Sequence, residues 1–382
     1  MIMWIAWPSF GAPARWLVSC VLALAAVAAL AQSEHDRREW PKTDFSRRTV
    51  ELSEIESGGP PKDGIPSIDR PQFVTVRVAR TWLTPKEPVI VLRLGSEARA
   101  YPIQILMYHE IVNDTLNGIP VSVTFCPLCN ASIVFERRID GRTLDFGTTG
   151  RLRLSDLVMY DRQTESWWQQ FTGKGIVGRY AGTVLRQLPS EIVAFEDFEA
   201  AHGTRGQVLS RITGHVRPYG RNPYAGYDRV DQHPFLFSGK LDGRLPPMER
   251  VLSVSAGGRH RIYPLSVLER HPVANRHLGG VAYAVFVRTG MASPLDADRI
   301  ESGRSIPAAT AFERRLDDRV LEFAFRNGRW TDGATGSEWN VLGEAVAGPL
   351  KGRRLAAMPS GVHFSFAWLA FNPDSEIVRS LP

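Results

Sequence analysis

The stretch FERRIDGRTLDF at residues 135–146 returns as FERRLDDRVLEF at residues 312–323, with eight of twelve positions identical. Another block returns in the same order, since Tyr101-Pro102 recurs as Tyr263-Pro264. Repeats in a fixed order indicate an internal duplication. We therefore predict two diverged tandem copies of one β-rich unit, packed with pseudo-twofold symmetry so that each copy covers the apolar face of the other.

A second motif, Asp-x-x-Thr-x-Ser-x-Trp, occurs once in each copy. Its residues are Asp161, Thr164, Ser166 and Trp168 in the first copy and Asp332, Thr335, Ser337 and Trp339 in the second. A carboxylate and hydroxyls at this spacing can cap a turn, and the tryptophan can fill the core. We interpret the motif as structural, although Asp161 and Ser166 are of residue types that also serve in catalysis.

The composition describes an ordinary globular protein. Of 382 residues, 43% are apolar and 23% are charged, which excludes a disordered, collagenous or coiled-coil chain. The net charge is +6, but the basic residues are mostly arginines spread along the chain without a basic run. Nucleic acid is therefore not expected as a partner.

The first 31 residues differ from the rest. Arg15 is followed by an uncharged run, Trp16 to Ala31, that ends in the small-residue pattern Ala29-Leu30-Ala31. This pattern predicts a secretory signal peptide over residues 1–31 and a periplasmic or secreted protein, with membrane contact only if the segment is not cleaved. Cys20 leaves with the signal, so two cysteines remain in an oxidising compartment.

The remaining chain divides into four parts. We predict an extended N-terminal arm at 32–84, copy one at 85–205, a Tyr/Gly/Pro-rich connecting segment at 206–247 and copy two at 248–382, with extra residues near 296–310. Short β-branched and aromatic runs separated by turns such as Asn117-Gly118 and Asp140-Gly141 predict a β-rich α+β fold. Helices are predicted at 103–113 and 195–202.

The connecting segment contains GHVRPYGRNPYAGYD at residues 214–228. Its glycines, prolines and asparagine favour turns, and its three tyrosines need apolar cover and partners for their hydroxyl groups. We interpret it as an ordered crossing loop, pinned by its aromatic rings or lining a ligand site.

The cysteines belong to copy one alone. Cys126 and Cys129 lie in FCPLCN, which we align with Phe286 to Met291 in copy two, where no thiol is present. His109 lies seventeen residues before Cys126. Chemistry kept in one copy only is a candidate for the function of that copy.

These motifs together resemble a known family. YHEIVND at 108–114, FCPLCNAS at 125–132, the Asp-x-x-Thr-x-Ser-x-Trp block and PYAGYD at 223–228 are similar to a bacterial family of secreted or periplasmic proteins known as domain of unknown function three-one-seven-nine. The resemblance covers about residues 70–380. It implies an extracytoplasmic location and a role for the His, Cys, Cys set, and it names no substrate.

Three hypotheses for the thiols stay open. The first is a soft transition metal, copper or zinc, bound by Cys126, Cys129 and His109, with His202 as a further candidate ligand. The second is thiol–disulfide exchange. The third is a structural disulfide in a non-catalytic binding scaffold.

Other cofactors are not expected. Asn130 stands where covalent haem attachment requires histidine, and no nucleotide-binding glycine pattern is present. Whether the protein is an enzyme is left open by the sequence.

Overall fold

A computed structural model describes residues 37–381 of the chain. Strands hold 42% of the residues and helices 11%, which confirms the prediction of a β-rich α+β protein. The predicted signal peptide lies outside the described residues. Between residues 37 and 381, no helix is both long enough and apolar enough to cross a membrane.

The first half is built from short elements. In order they are β1 (Ile55–Ser57), β2 (Phe73–Thr75), α1 (Val76–Ala79), β3 (Pro88–Leu94), β4 (Glu97–Pro102), α2 (Ile103–Leu106), β5 (Ile111–Leu116), β6 (Ile119–Cys126), β7 (Ala131–Glu136), β8 (Arg138–Ile139), β9 (Arg142–Thr143), β10 (Phe146–Arg153), β11 (Asp156–Asp161), β12 (Trp167–Gln169), β13 (Lys174–Val177), β14 (Gln187–Leu188), β15 (Ser190–Ala194), α3 (Phe195–His202) and β16 (Gln207–Leu209).

The second half follows a similar succession from β3 onward, without a strand that corresponds to β14. Its elements are β17 (Arg250–Ala256), β18 (Arg259–Pro264), α4 (Leu265–Leu268), β19 (Val273–Leu278), β20 (Val281–Ala292), β21 (Ser305–Glu313), β22 (Arg315–Leu316), β23 (Arg319–Val320), β24 (Phe323–Arg326), β25 (Arg329–Asp332), β26 (Glu338–Trp339), β27 (Ala345–Ala347), β28 (Ser360–Phe364), α5 (Ser365–Phe371) and β29 (Glu376–Ile377). Short 3-10 helices lie at Leu52–Glu54, Pro127–Cys129 and Ile300–Ser302.

The strands pair in the same order in both halves. The first half forms the sheets β15-β3-β4-β16-β2, β14-β7-β6-β5 and β1-β10-β11-β12-β13. The second half forms β28-β17-β18-β29, β19-β20-β21 and β24-β25-β26-β27, and each half adds a small hairpin, β8-β9 or β22-β23. In each half a late short strand joins in parallel, β16 beside β4 and β29 beside β18.

The two halves pack through related elements. Strand β15 contacts β21, and β28, which holds the place of β15 in the second half, contacts β7. Val123 and Leu209 of the first half share one buried cluster with Val251 and Phe364 of the second. Since apolar burial is the main stabilising contribution to folding, this shared core holds the halves together as one body.

Strand pairing corrects the sequence alignment of the cysteine segment by one residue. Thr124 faces Ile133 in one hairpin, and Phe286 faces Thr310 in the other. Cys126 therefore corresponds to Arg288 and not to Val287. The chain between β6 and β7 is a tight turn, whereas the corresponding chain after Arg288 is a long extension to which the extra residues belong.

The helix predictions had mixed outcomes. Helix α3 spans Phe195–His202 as predicted, but the helix predicted at 103–113 is wrong in its extent, because α2 ends at Leu106. The chain turns at Glu110, where φ is +55°. It then continues as β5, in which Ile111 and Val112 pair with Thr124 and Val123. β-branched residues favour such a strand over a continued helix.

The predicted turns form as left-handed turns, with positive φ at Asn117-Gly118 and at Asp140-Gly141. The hairpin between β10 and β11 turns through Leu154-Ser155, at φ +54° and +65°. The matching hairpin between β24 and β25 uses Asn327-Gly328 in the same conformation. Asn-Gly is the preferred pair for such turns, and Leu-Ser is not.

The N-terminal arm packs against the first half where the structure describes it. Strand β1 pairs with β10. Trp40 is fully buried, with its ring 4.9 Å from that of Tyr160 and 5.2 Å from that of Trp167, both edge-on. The arm thus adds a strand and an aromatic plug to the sheet that contains β10 and β11.

Candidate metal centre

The two cysteines lie on one tight turn. Strand β6 ends at Cys126, the 3-10 turn Pro127–Cys129 follows, and Asn130 takes a left-handed conformation with φ +50° before β7 begins. Cys126 is 2% exposed and Cys129 is fully buried, and both are free thiols. The turn therefore places both sulfur atoms inside the protein.

A carboxylate joins the sulfur atoms. Asp156, the first residue of β11, lies so that one of its oxygens and both cysteine Sγ atoms are all within 4.8 Å of one another. The preceding Ser155 carbonyl accepts hydrogen bonds from both thiols, at 3.9 Å from Cys126 and 3.5 Å from Cys129. Among the described residues this is the one group of three or more His, Cys, Asp or Glu ligand atoms at such distances.

The two oxygens of Asp156 have different surroundings. Oδ2 accepts hydrogen bonds from Gln169 Nε2 at 2.6 Å and from the Phe171 backbone N–H at 2.9 Å. Oδ1 is buried and has no N–H or O–H donor within the described part of the chain. The remaining donors to Asp156 are the two thiols, which donate weakly, so Oδ1 is the atom at which a ligand would stabilise this site.

The group is a buried cluster of acids. Burial raises the pKa of Asp156 to about 7, and burial together with the charge of Asp156 raises the pKa of Glu110 to about 8. Burial also raises the pKa of both thiols, that of Cys129 well above its usual value. In the described chain, no basic side chain forms an ion pair with Asp156 or Glu110.

A cavity lies beside the cluster, lined by sequence neighbours of Cys129 and Asp156 and by none of the three candidate ligands themselves. Its volume is about 460 Å³, and its lining includes Glu110, Leu128 and Leu157 together with Tyr224 and Tyr227 of the connecting segment. The rest of the wall is largely apolar, which is usual for pockets that bind small molecules. The crossing loop thus has both expected roles, because Tyr227 also donates to the Leu128 carbonyl at 3.2 Å and so pins the cysteine turn.

The turn is tied to the second half by a buried network. Asn130 accepts from Arg250 Nε at 3.4 Å and donates to the Val362 carbonyl at 3.3 Å. Arg250 in turn pairs with the fully buried Asp228 at 2.8 Å, and Asp228 pairs with Arg304 at 2.7 Å. The half without thiols therefore helps to position the sulfur atoms.

The structure does not bring His109 into the ligand group. Its Nδ1 donates to the Pro66 carbonyl at 2.6 Å, and its Nε2 accepts from the Tyr219 hydroxyl at 2.6 Å. Burial lowers the pKa of His109 to about 4, so the ring is neutral and both nitrogens are occupied. The backbone turn at Glu110 gives the reason, because it directs the neighbouring carboxyl toward the cavity while the imidazole packs against the arm.

His202, the further candidate ligand, lies elsewhere. At the end of α3 its Nε2 is 3.7 Å from Glu344 Oε1, and its ring is 5.3 Å from that of Phe198. Helix α3 packs against β3, β4 and β15, which keeps its last residue away from the cysteine turn. The candidate ligands that the structure brings together are therefore two thiols and a carboxylate, and the predicted imidazoles lie outside this group.

The repeated Asp-x-x-Thr-x-Ser-x-Trp motif forms the same network twice. Asp161 Oδ1 accepts from the Thr164 N–H at 2.7 Å, and Oδ2 accepts from Trp168 Nε1 at 3.0 Å. Asp332 does the same with Thr335 at 2.7 Å and Trp339 at 3.0 Å. All acceptors of both aspartates serve the turn, which supports the structural interpretation.

Glycines complete these two turns. Gly178 and Gly348 have φ +94° and +84°, and a Cβ on them would lie 3.0 Å and 2.7 Å from the Cα atoms of Ser166 and Ser337. This close approach lets the hydroxyl group of each serine accept a hydrogen bond from a backbone N–H group. In the first half the donor is Tyr180, at 3.1 Å. The recurrence of both glycines thus follows from one packing requirement.

Asp161→Asn and Asp332→Asn are expected to destabilise the protein by similar amounts, about 1–3 kcal/mol each, because each removes a buried charge-assisted acceptor. Neither change should alter the metal content of the purified protein. Urea unfolding measures the loss of stability, and elemental analysis measures the metal content. Loss of metal from Asp161→Asn alone would show that this motif serves the site and not only the fold.

Sequence reasoning missed Asp156, Glu110 and the cavity. Asp156 lies in no recognisable motif, thirty residues after Cys126. Comparing the two halves gives no signal for Asp156, because the hairpin register makes Arg329 the counterpart of Val158, and the second hairpin ends two residue pairs before the position of Asp156. Of the three candidate ligands, only Cys126 has an aligned counterpart in a strand of the second half, and this is Arg288.

Comparisons with known proteins give a family without an assigned activity. The family described as "Protein of unknown function (DUF3179)" matches residues 62–375. No curated protein matches the chain, and no solved structure matches it.

Proposed function

The chain belongs to the DUF3179 family, and from the geometry of its buried site we propose that it binds one Zn²⁺ ion through Cys126 Sγ, Cys129 Sγ and an oxygen of Asp156. A fourth coordination position would remain for a molecule that enters from the neighbouring cavity, which Glu110, Tyr224 and Tyr227 line. Three protein ligands and one open position are typical of zinc sites that act on a bound molecule, whereas structural zinc sites are closed.

The observation that carries the proposal is the buried acid cluster without a counter-charge. Two thiols and a carboxylate lie within 4.8 Å of one another, and Asp156 Oδ1 has no N–H or O–H donor in the described chain. Burial favours the protonated forms, but a divalent cation can replace the protons and supply the missing positive charge. The site then becomes a set of three bonded ligands.

The carboxylate favours zinc over copper. Cu(I) prefers thiolate and thioether ligands, whereas Zn²⁺ accepts sulfur, nitrogen and carboxylate oxygen alike. The sequence left copper and zinc both open for a site with His109 as its third ligand, but His109 is engaged with Pro66 and Tyr219. The oxygen of Asp156 therefore supports zinc as the bound ion.

The residues around the open coordination position could interact with a molecule bound there. A bound zinc ion would polarise an oxygen of a molecule in the cavity. Glu110 lines the cavity, where its carboxyl group can hydrogen-bond to that molecule. Leu128 and Leu157 line the wall beside the ligands and exclude water, which strengthens electrostatic interactions there.

The thiol–disulfide alternative has less support. A reactive cysteine needs a lowered pKa, commonly at a helix N-terminus. Here burial raises the pKa of both thiols, and the chain after Cys129 continues as a strand.

The proposal includes an extracytoplasmic location and an origin by tandem duplication. The location is supported by the uncharged run Trp16 to Ala31 and its small-residue end. The duplication is supported by the shared order of strand pairing and by the repeated aspartate turns. After duplication, the first copy kept the ligands and the second became their support.

The test is elemental analysis of the purified protein. About one zinc per chain is expected in the wild type, and Cys126→Ser and Cys129→Ser should each lose most of it, because a serine hydroxyl is a poor zinc ligand. Ser132→Ala is the matched control, a change of one atom on the adjacent strand at a hydroxyl group without a partner. Equal metal content in all four proteins would exclude the proposal.

A further inference from the structure

A second cavity lies at the junction of the two halves. Its volume is about 590 Å³. The first half contributes the start of β4 and the end of α3 with the turn after it, and the second half contributes β27 and the turn that follows. No member of the candidate metal centre lines it, so this junction cleft is a separate feature.

Small residues create the space. Ala98, Ala201 and Ala345 line the cleft together with Gly206 and Gly352. At Gly206 a Cβ would lie 2.7 Å from the Phe198 ring and 2.8 Å from the His202 carbonyl, so a larger residue does not fit the turn. The cleft is therefore lined in large part by backbone and methyl groups that allow a close approach.

The acidic residues of the cleft already accept hydrogen bonds from other residues of the chain. Glu344 accepts from Arg93 Nη1 at 2.8 Å and from Asn340 Nδ2 at 3.2 Å. Glu97 accepts from the Asn117 backbone N–H at 3.3 Å. Glu344 shares Arg93 with Glu191, which lies 3.6 Å from the same guanidinium, so Glu344 is partly neutralised, while Glu97 keeps its charge.

The basic residues of the cleft, in contrast, form no ion pairs with other described residues. Arg205, Lys351 and Arg354 line it and are exposed. Between residues 37 and 381, none of the three forms an ion pair, and Arg354 donates only to the Gly95 carbonyl at 3.2 Å. Three cations from two different halves thus line one cavity, where they outnumber its two carboxylates, Glu97 and Glu344.

We infer that the junction cleft binds a small organic polyanion, a molecule with two or more phosphate or carboxylate groups. A single inorganic ion would fill little of 590 Å³, which lies in the range of pockets for small organic ligands. Arginine recognises both phosphate and carboxylate through paired N–H donors, and lysine adds a point charge. His202 lines the same cleft, which gives this residue a place outside the metal site.

A ligand that bridges the two halves should also stabilise the folded protein. Arg205 belongs to the first half, and Lys351 and Arg354 belong to the second. Because a ligand that binds only the folded state raises its stability by mass action, a rise in melting temperature is expected with increasing ligand concentration.

The test uses citrate and fructose 1,6-bisphosphate as probes, with glycerol as the uncharged comparison. Calorimetric titration of the full chain should show saturable binding of at least one polyanion, weakened by added salt, and no binding of glycerol. Preference for one probe assigns the carboxylate or the phosphate class. The absence of saturable binding for both polyanions would overturn the inference.

The double variant Arg205→Gln/Lys351→Gln should bind the preferred probe at least about tenfold more weakly, since two charge-assisted contacts are lost. Lys174→Gln/Arg179→Gln removes two exposed cations outside the cleft and should bind like the wild type. Wild-type affinity in the first variant would refute the site. Cys126→Ser should bind the probe normally, so this result does not depend on zinc.

Discussion

Replacing Asp156 with asparagine is expected to weaken Zn²⁺ binding by about 100-fold or more, because the change removes the negative oxygen donor while keeping the shape of the side chain. The amide oxygen of the new side chain can still accept from Gln169 Nε2 and the Phe171 N–H, which hold Asp156 in place. The fold should therefore survive. Competition with a chromogenic chelator measures the affinity.

His109→Gln is the matched comparison, because it removes the imidazole that the sequence favoured as a ligand. Its zinc affinity should equal that of the wild type within error, since His109 is bonded to Pro66 and Tyr219. The reverse pattern, with zinc lost from His109→Gln and kept by Asp156→Asn, would show that His109 is a zinc ligand and that Asp156 is not.

The pH dependence of zinc binding has a defined sign. With a pKa of about 7 for Asp156 and raised values for both thiols, the ligands hold protons at neutral pH in the metal-free protein. Zinc must displace these protons, so its affinity should rise with pH from 6 to 8. Because the asparagine variant has one proton fewer to displace, its affinity should depend less steeply on pH.

Asp228→Asn is expected to lower the free energy of unfolding by about 3–5 kcal/mol, because it leaves a buried guanidinium without its counter-charge. Asp228 is fully buried, and Arg250 and Arg304 lie 2.8 Å and 2.7 Å from its oxygens. Burial alone would raise the pKa of Asp228, but Arg250 and the hydrogen bonds from Ser293 and Arg304 hold it below its usual value. Urea unfolding at neutral pH measures the loss.

Asp231→Asn is the control for this change. Asp231 lies three residues away and pairs with Arg229 at 2.9 Å, but the two side chains are 69% and 61% exposed. Solvent screens such a pair, so the variant should unfold like the wild type. Equal stability of the Asp228 and Asp231 variants would mean that the buried network does not hold the connecting segment to the second half.

The sequence predicted the parts of the fold that depend on local patterns. Asn117-Gly118 and Asp140-Gly141 form the expected turns because few other residues accept positive φ at low cost. The recurrence of Tyr101-Pro102 and the FERR blocks located corresponding strands. The helix after Pro102 was predicted too long, since a pattern of apolar residues near Ile111 does not separate a helix from a buried strand.

The candidate site was predicted in part. Cys126 and Cys129 are neighbours along the chain, so their proximity follows from a short turn. The third candidate ligand depends on folding, because Asp156 reaches the thiols through the packing of one hairpin on another. His109 and Glu110 are adjacent in sequence, and one left-handed backbone angle at Glu110 decides which of the two faces the cavity.

The hairpin at Leu154-Ser155 has a consequence for any attempt to make this protein more heat-resistant. The same bend in the second half uses Asn327-Gly328, whereas a left-handed residue other than glycine or asparagine costs about 1–2 kcal/mol. This cost is offset by hydrogen bonds: Ser155 Oγ donates to the Phe235 carbonyl, and the Ser155 carbonyl accepts hydrogen bonds from both thiols. Replacing Leu154-Ser155 with Asn-Gly would raise the melting temperature but remove the Ser155 side chain that fixes this turn beside the two sulfur atoms. Heat stability and the positioning of the candidate metal ligands therefore place opposite demands on the same two residues.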